Sequence, residues 1–160
     1  MSSYDEAFDA LMNFEKGYSN NPADPGGETM WGITERVARA HGYTGSMRML
    51  PRVTAKDIAK KAYWDVARCD ELPPAIAFDV FDTIYNGGRA VKWLQLAVGA
   101  SPDGVIGPAT IAAANTANPD RTRLIFNSYR LGYYADLDGF TTFGRGWTRR
   151  IASNLMKGGQ

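Results

Sequence analysis

Two carboxylates near the start of the chain, Glu15 and Asp24, have the type and spacing that acid–base chemistry on a sugar requires. Glu15 follows Phe8 and Leu11 at helical spacing, and Asp24 lies in the polar stretch SNNPADPGGE, residues 19–28. Cleavage of a glycosidic bond uses a proton donor and a second carboxylate, which attacks the sugar or holds a water. The pair predicts this chemistry, with Glu15 as general acid. The alternative for Asp24 is a turn residue, which is common before proline.

The spacing predicts that Glu15 lies in the last turn of the first helix. Ser3 and Glu6 form a capping-box pattern at the helix start, and Gly17 is a natural stop. On the apolar side of that last turn, burial and the negative end of the helix dipole both favour the protonated form that a general acid needs. The alternative is that Glu15 only ends the apolar side and reaches water past Gly17.

A short run with weak strand-like alternation follows the loop, from Thr29 to Ile33. A threonine here could position a water together with Asp24. Thr34 has an equally good interpretation as the N-cap of the next helix. Trp31 could stack on a sugar ring or belong to the core.

The remainder of the chain has the periodicity of helices. A helix starting at Thr54 has Ile58, Ala62, Val66 and Cys69 on its predicted buried side. The run after Pro73 is apolar over a broad face, which predicts the central helix of a bundle. Further helices are predicted over 89–98, 108–116, 119–134 and 146–156. The fold class is therefore mostly α, a helical bundle with a small β element near residues 29–33.

Several aromatic and polar side chains on these helices could bind saccharide. Tyr63 and Trp64 border a buried side and could line a sugar cleft, although an aromatic core is the commoner outcome. Tyr85 closes the apolar side of the central helix, and Asn86 either ends that helix before Gly87 or points into the site. We include Tyr63, Trp64, Tyr85 and Asn86 among the candidate substrate-binding residues.

Asp79 and Asp82 share one side of the central helix with Asn86. They could bind saccharide hydroxyls. The alternative is a solvated face or hydrogen bonds to neighbouring loops.

Composition excludes several other chemistries. Cys69 is the only cysteine and His41 the only histidine, which argues against a disulfide and against a multi-histidine zinc site. We expect no metal or organic cofactor. Residues 1–80 carry nine Lys/Arg against twelve Asp/Glu, and residues 81–160 carry nine against five, so the second half is basic. A basic half could favour anionic cell-wall or membrane surfaces.

The motifs resemble those of a known family. Glu15-Lys-Gly-Tyr18, the turn at 24–27 and the run from 29 to 34 resemble the N-terminal signature of the glycoside hydrolase 108 family. Residues 63–88 are similar to its central part. The segments 103–108 and 143–147 are similar to the predicted peptidoglycan-binding part that accompanies it. The resemblance spans nearly the whole chain.

The resemblance implies a lysozyme-like muramidase of phage or bacterial type, which cleaves the β-1,4 bond between N-acetylmuramic acid and N-acetylglucosamine. It implies that Glu15 is the catalytic acid. We include Tyr18 and Trp31 among the candidate substrate-binding residues. Phage-type lysozymes place an Asp nine residues after the Glu and a Thr six beyond. Asp24 fits, but Met30 occupies the Thr position, so Thr29 and Thr34 remain alternatives.

The domain prediction is a single domain over 1–160. Residues 1–88 form its catalytic part and residues 89–160 a peptidoglycan-binding-like part that is not separable, because no linker-like segment divides them. Three rival functions remain open: a lytic transglycosylase acting on the same bond, a non-catalytic peptidoglycan-binding protein and, third, a Cys–His peptidase that would use Cys69 and His41.

The chain shows no signal peptide. We therefore expect synthesis in a bacterial host cytoplasm and action in the periplasm or cell wall. A holin is implied as the export partner if the protein is a phage lysin. The basic C-terminal helix could touch anionic membrane weakly, although docking onto the core is the alternative. We expect a monomer that does not bind nucleic acid.

Overall fold

The computed structural model describes residues 3–15, 17–22 and 27–157. By its internal contacts, the chain divides into an N-terminal unit, Ser3–Val66, and a C-terminal unit that begins at Ala67. Three short strands lie in the N-terminal unit, whereas the C-terminal unit is helical over its described residues. The predicted mostly α, lysozyme-like fold with a small β element is confirmed.

The N-terminal unit contains three α-helices and a 3-10 turn. Ser3 accepts a hydrogen bond from the Glu6 N–H at 3.4 Å and so caps the first helix, while Thr34 caps the second by accepting from the Val37 N–H at 3.4 Å. Phe8 and Leu11 are fully buried in the core of this unit. The elements are α1 (Tyr4–Met12), α2 (Glu35–Ala40), the 3-10 turn (Met47–Met49) and α3 (Arg52–Ala59).

The three strands form one antiparallel sheet. They are β1 (Tyr18–Ser19), β2 (Thr29–Met30) and β3 (Ile33–Thr34), in the order β1-β2-β3. Trp31 and Gly32 form the two-residue turn between β2 and β3 with φ of +56° and +76°. Positive φ at both positions defines a type I′ turn, whose twist suits a hairpin. The β element is thus near the predicted residues, with β1 added to it.

The helix from Thr54 departs from its predicted periodicity. After α3 the chain widens into a π-helical turn (Lys60–Trp64), closed by the Asp65 N–H donating to the Lys60 carbonyl at 2.9 Å. A π-turn accommodates one residue more than an α-turn and shifts every later side chain around the axis. Trp64 therefore takes the buried position, and Val66, predicted to be buried, is 67% exposed.

The C-terminal unit contains five α-helices after a 3-10 turn (Cys69–Glu71). They are α4 (Pro74–Asn86), α5 (Ala90–Val98), α6 (Pro108–Thr116), α7 (Pro119–Ala135) and α8 (Phe140–Lys157). Residues 76–83 are all buried and α4 packs against α5 and α7, which confirms α4 as a central helix. No helix in the described part of the chain is long and apolar enough to cross a membrane.

The last helix begins earlier than predicted. The sequence predicts the range 146–156 from the helical spacing of Trp147, Ile151 and Leu155. The structure starts α8 at Phe140, with Gly144 buried beneath the Phe140 ring. A Cβ at position 144 would lie 2.6 Å from that ring. Glycine here thus makes room for an aromatic side chain one turn earlier, and tertiary packing outweighs propensity.

Asp79 and Asp82 are interior residues of the C-terminal unit, at 1% and 0% exposure. The expectations of a cleft and of a solvated face are therefore wrong, and the two aspartates make the expected hydrogen bonds to later helices and not to neighbouring loops. Their partners are arginines of later helices: Arg123 of α7 donates to Asp79 at 2.9 Å, and Arg150 of α8 donates to Asp82 at 2.9 Å. Arg130 of α7, fully buried, lies 2.7 Å from Asp82. Such long-range pairs leave no periodic signal.

Candidate active site

Glu15 lies beyond the first helix and not in its last turn. The Asn13 and Phe14 N–H groups donate to the carbonyls of Ala10 and Leu11 at 3.3 and 2.9 Å. These i→i−3 bonds tighten the chain and end α1 at Met12. The predicted position of Glu15 is therefore wrong. It occupies irregular chain and is half-buried, without the helical surroundings that the sequence predicted.

The segment that carries Glu15 is joined to the sheet. Gly17 has a φ of +56°, and its carbonyl accepts a hydrogen bond from the Trp31 N–H at 3.3 Å. Tyr18 follows directly as the first residue of β1. One backbone hydrogen bond therefore joins the hairpin turn to Gly17, two residues after Glu15, and brings these two parts of the chain into one local frame.

Tyr63 interacts electrostatically with both Glu15 and Arg36. Burial is the largest cause of the raised pKa of Tyr63, and the negative charge of Glu15 raises this pKa further. The positive charge of Arg36 lowers it. The Tyr63 phenol therefore remains protonated and can donate a hydrogen bond near Glu15. The sequence predicted Tyr63 as a candidate but missed Arg36, which stands in the first turn of α2 without a motif to mark it.

One face of the sheet presents a row of hydroxyl groups. Ser19 pairs with Thr29, and Thr29 pairs with Thr34, so their side chains share one face. The opposite face carries Ile33, which is fully buried. Ser19 was not among the predicted residues, and only the register of β1 and β2 reveals it.

The two candidate threonines differ in their bonding. The Thr34 hydroxyl accepts the N-cap bond from the Val37 N–H. The Thr29 hydroxyl is buried and has no hydrogen-bond partner among the described residues. A buried polar atom without a partner costs free energy and is characteristic of a place where a water or ligand completes the bonding. Of the two, Thr29 is the one whose hydroxyl is not already engaged in a hydrogen bond within the described part of the chain.

Trp31 is held at two points in an uncommon backbone conformation. Its φ of +56° is rare for a residue with a Cβ and stores strain. The indole N–H donates to the Leu50 carbonyl at 2.9 Å, and the ring is half-buried. The position of this indole is thus determined both by the hairpin turn and by a side-chain hydrogen bond.

Tyr18 is engaged on its hydroxyl and on one ring face. The hydroxyl donates to the Glu28 carboxylate, which raises the pKa of Tyr18. The Arg48 guanidinium lies 3.9 Å from the centre of the ring. These contacts tie β1 to the two chain segments beside it.

The remaining predicted residues are placed in the interior or elsewhere. Trp64 is 4% exposed and packs edge-on against Tyr4, so the core alternative describes it and it offers no open ring face. Tyr85 and Asn86 belong to the C-terminal unit, where the Asn86 amide donates to the Tyr134 hydroxyl at 3.1 Å. Asp24 lies outside the described residues.

The comparisons with known proteins agree with this fold. Residues 8–88 match the family model described as Glycosyl hydrolase 108, and residues 89–152 match the one described as Predicted Peptidoglycan domain. The chain is similar to a solved structure titled "Structure of Brucella abortus SagA", at 34% identity and a TM-score of 0.86, over 96% of this chain and 92% of that one. None of the curated proteins matches it.

The fold and the site define a lysozyme-like glycosidase. The chain belongs to the glycosyl hydrolase 108 family, as the resemblance predicted. It is a glycoside hydrolase that acts on peptidoglycan. The two family models meet at residues 88 and 89, whereas the contacts divide the chain at residues 66 and 67. The separability of the C-terminal part stays a prediction.

Proposed function

We propose that this protein is an N-acetylmuramidase that cleaves the β-1,4 bond between N-acetylmuramic acid and N-acetylglucosamine, with Glu15 as general acid. The observation that carries the proposal is the local frame around Glu15. Its segment is bonded through Gly17 to the hairpin that presents the unpartnered Thr29 hydroxyl. A proton donor and a hydroxyl able to hold water are the two groups that glycoside hydrolysis requires.

In this mechanism Glu15 protonates the leaving oxygen as the glycosidic bond breaks. A water held by the Thr29 hydroxyl forms the new bond to the anomeric carbon of muramic acid and gives a reducing end, and the proton that this water loses passes to Asp24, the second carboxylate. Tyr63 donates a hydrogen bond close to Glu15, and Trp31 supplies an aromatic face at a fixed position. Arg36 keeps the local potential from becoming strongly negative.

Two other functions are less well supported. A lytic transglycosylase needs the glutamate alone and forms an anhydro sugar without water. The Thr29 hydroxyl, buried and without a partner, favours hydrolysis, because only hydrolysis needs a held water. A non-catalytic wall-binding protein would need neither Glu15 nor the strained turn at Trp31.

The biological setting we propose is a bacteriolytic endolysin of phage type. It would be made in the host cytoplasm, cross to the cell wall with the help of a holin, and work as a monomer with antimicrobial effect. Arg145 and Arg149 lie exposed on α8, which supports weak contact with anionic membrane. Ile151 on the same helix is buried, so α8 also docks within its unit.

The test is digestion of purified peptidoglycan by the wild type and by Glu15→Gln, followed by mass spectrometry of the products. We expect reducing muramic acid ends from the wild type, and a loss of about 10³-fold or more in the variant. Glu71→Gln is the matched control, because Glu71 pairs on the surface with Arg68. Circular dichroism checks that both variants remain folded.

Three outcomes would contradict the proposal. Anhydro ends from the wild type would make the enzyme a transglycosylase. Full activity in Glu15→Gln would remove Glu15 from the mechanism. Binding of the wall without cleavage by the wild type would leave only the non-catalytic function.

A further inference from the structure

A pocket of about 430 Å³ lies within the C-terminal unit, where the ends of α5 and α6 meet the start of α7. Its volume falls in the range of sites for small ligands. Small residues form much of its wall, among them Ala97, Gly99, Ala113 and Ala117. They leave the space open, and none of the functional residues described above lines it.

A single cation, Arg121, stands at this pocket. Its backbone N–H donates to the Asn118 side chain at 2.9 Å. Its guanidinium has neither an ion pair nor a hydrogen bond within residues 3–15, 17–22 and 27–157. By contrast, the arginines of the interior network, Arg123 among them, are paired with aspartates. An exposed guanidinium facing a pocket is suited to a carboxylate, which it can hold through two parallel hydrogen bonds.

The helix ends add hydrogen-bond acceptors to the same pocket. The Gly99 N–H reaches back to the Leu96 carbonyl, and the Ala117 N–H reaches back to the Ala113 carbonyl. The last carbonyls of a helix have no intrahelical donor. The carbonyls of Val98 and Thr116 come after the last backbone hydrogen bonds of their helices, and both residues line the pocket. They can accept hydrogen bonds from the N–H groups of a ligand.

These three features together describe a short peptide. A carboxylate would pair with Arg121, amide N–H groups would donate to the helix-end carbonyls, and small aliphatic side chains would fit against the alanine wall. No aromatic residue of the described chain lines the pocket, so it lacks the ring face on which sugars stack.

We propose that this pocket binds the stem peptide of peptidoglycan, the short peptide of alanine residues, a γ-linked glutamate with a free carboxylate and a diamino acid that hangs from muramic acid. The proposal rests on the proposed function only for the choice of this peptide as the natural ligand. Stem binding would raise the enzyme's affinity for peptide-bearing strands, and would leave the chemical step on a bare glycan unchanged.

The test separates peptide binding from glycan cleavage. Calorimetry measures the affinity of the full chain for L-alanyl-γ-D-glutamyl-L-lysyl-D-alanine, and a second assay measures hydrolysis of glycan strands stripped of peptide. We expect Arg121→Gln to weaken peptide binding about tenfold, because one charge-assisted contact is lost. Ala113→Phe should abolish binding by filling the pocket.

Each pocket variant has a matched control. One control introduces the same ring on the same helix, and the other removes the same charge at a different position. Ala112→Phe places the same ring one residue away on an exposed position of α6, and Arg149→Gln removes an exposed cation that does not line the pocket. Both should bind the peptide as the wild type does, and all four variants should cleave stripped glycan at the wild-type rate.

The outcomes distinguish this inference from the proposed function. Cleavage of stripped glycan without peptide binding by the wild type would overturn the inference and leave the muramidase proposal intact. Peptide binding that Arg121→Gln and Ala113→Phe leave unchanged would also overturn it. Peptide binding without glycan cleavage would support the pocket and contradict the proposed function.

Discussion

The N-terminal and C-terminal units differ in whether they bury ion pairs within the described residues, although both have pairs at the surface. In the N-terminal unit the ion pairs lie at the surface, as Glu35 and Arg39 do at 2.8 Å with each more than a third exposed. In the C-terminal unit the two aspartates of α4 are buried and pair with arginines of α7 and α8. One unit therefore stabilises its interior with apolar packing, and the other adds a buried ionic network.

Because of this difference, the two units should tolerate different substitutions of charged residues. Surface pairs contribute little, because water screens them and their side chains lose entropy. A buried pair contributes through the cost of breaking it, since the remaining charge has no water to solvate it. We therefore expect substitutions in the candidate site to change the free energy of unfolding only slightly. Removal of one member of the buried ionic network should destabilise the C-terminal unit strongly.

The largest effect is expected for Asp82→Ala. It leaves Arg130 and Arg150 buried without a carboxylate and should lower the free energy of unfolding by about 3–5 kcal/mol. Glu35→Ala, which breaks a surface pair, should cost about 1 kcal/mol or less. Urea unfolding followed by circular dichroism measures both. Equal losses of unfolding free energy in the two variants would contradict the expected difference between the units.

A second effect is a pH dependence carried by Asp79. Burial raises the pKa of this carboxyl from 3.8 to about 6, and the hydrogen bonds from Arg123 and Asn127 only partly oppose the shift. Because the folded-state pKa lies above the unfolded value, its contribution to stability is complete below about pH 4 and is lost as the pH rises through 6.

Asp79→Asn removes this titration. Between pH 4 and pH 7, the wild type should lose about 2–3 kcal/mol of unfolding free energy relative to the variant. Urea titrations of both proteins across this range measure the difference. A constant difference at every pH would mean that Asp79 stays ionised in the folded protein, held so by Arg123.

The smallest effect distinguishes the two threonines of the hydroxyl face. Thr29→Val should leave stability within about 0.5 kcal/mol, because its hydroxyl has no partner to lose, and should lower muramidase activity about 10–100-fold. Thr34→Val should cost about 1 kcal/mol through the lost N-cap, with activity less affected. Thermal melts and initial rates of wall digestion measure both.

Thr29→Ser, which keeps the hydroxyl, should restore most of the activity. The opposite pattern, an inactive Thr34→Val and an active Thr29→Val, would assign the water to Thr34.

The sequence predicted those parts of the fold whose signal is local. The cap at Ser3, the proline that opens α4 and the broad apolar face of that helix all lie within one or two turns of chain. The ion pairs of Asp79 and Asp82 were missed because their partners lie more than 40 residues away. The early start of α8 was missed because Gly144 makes room for a ring, which propensity does not describe.

The candidate site was predictable to a similar degree. Spacing and motif pointed to Glu15, Thr29 and Thr34, but they placed Glu15 in a helix that ends three residues before it. Ser19 was missed because its neighbours follow from the register of β1 and β2, and Arg36 was missed because no motif marks it in the first turn of α2. Sequence patterns identify which residues carry chemistry, whereas turns decide which of them meet.

The π-helical turn at Lys60–Trp64 has a consequence for comparing related sequences. Such a turn is an α-helix with one residue inserted, and deletion of that residue would restore the regular helix. Tyr63 would then point in a different direction, although its identity would be unchanged. An alignment of homologues should therefore look for single-residue gaps here, because the length of this segment, as much as its residues, determines which side chain stands near Glu15.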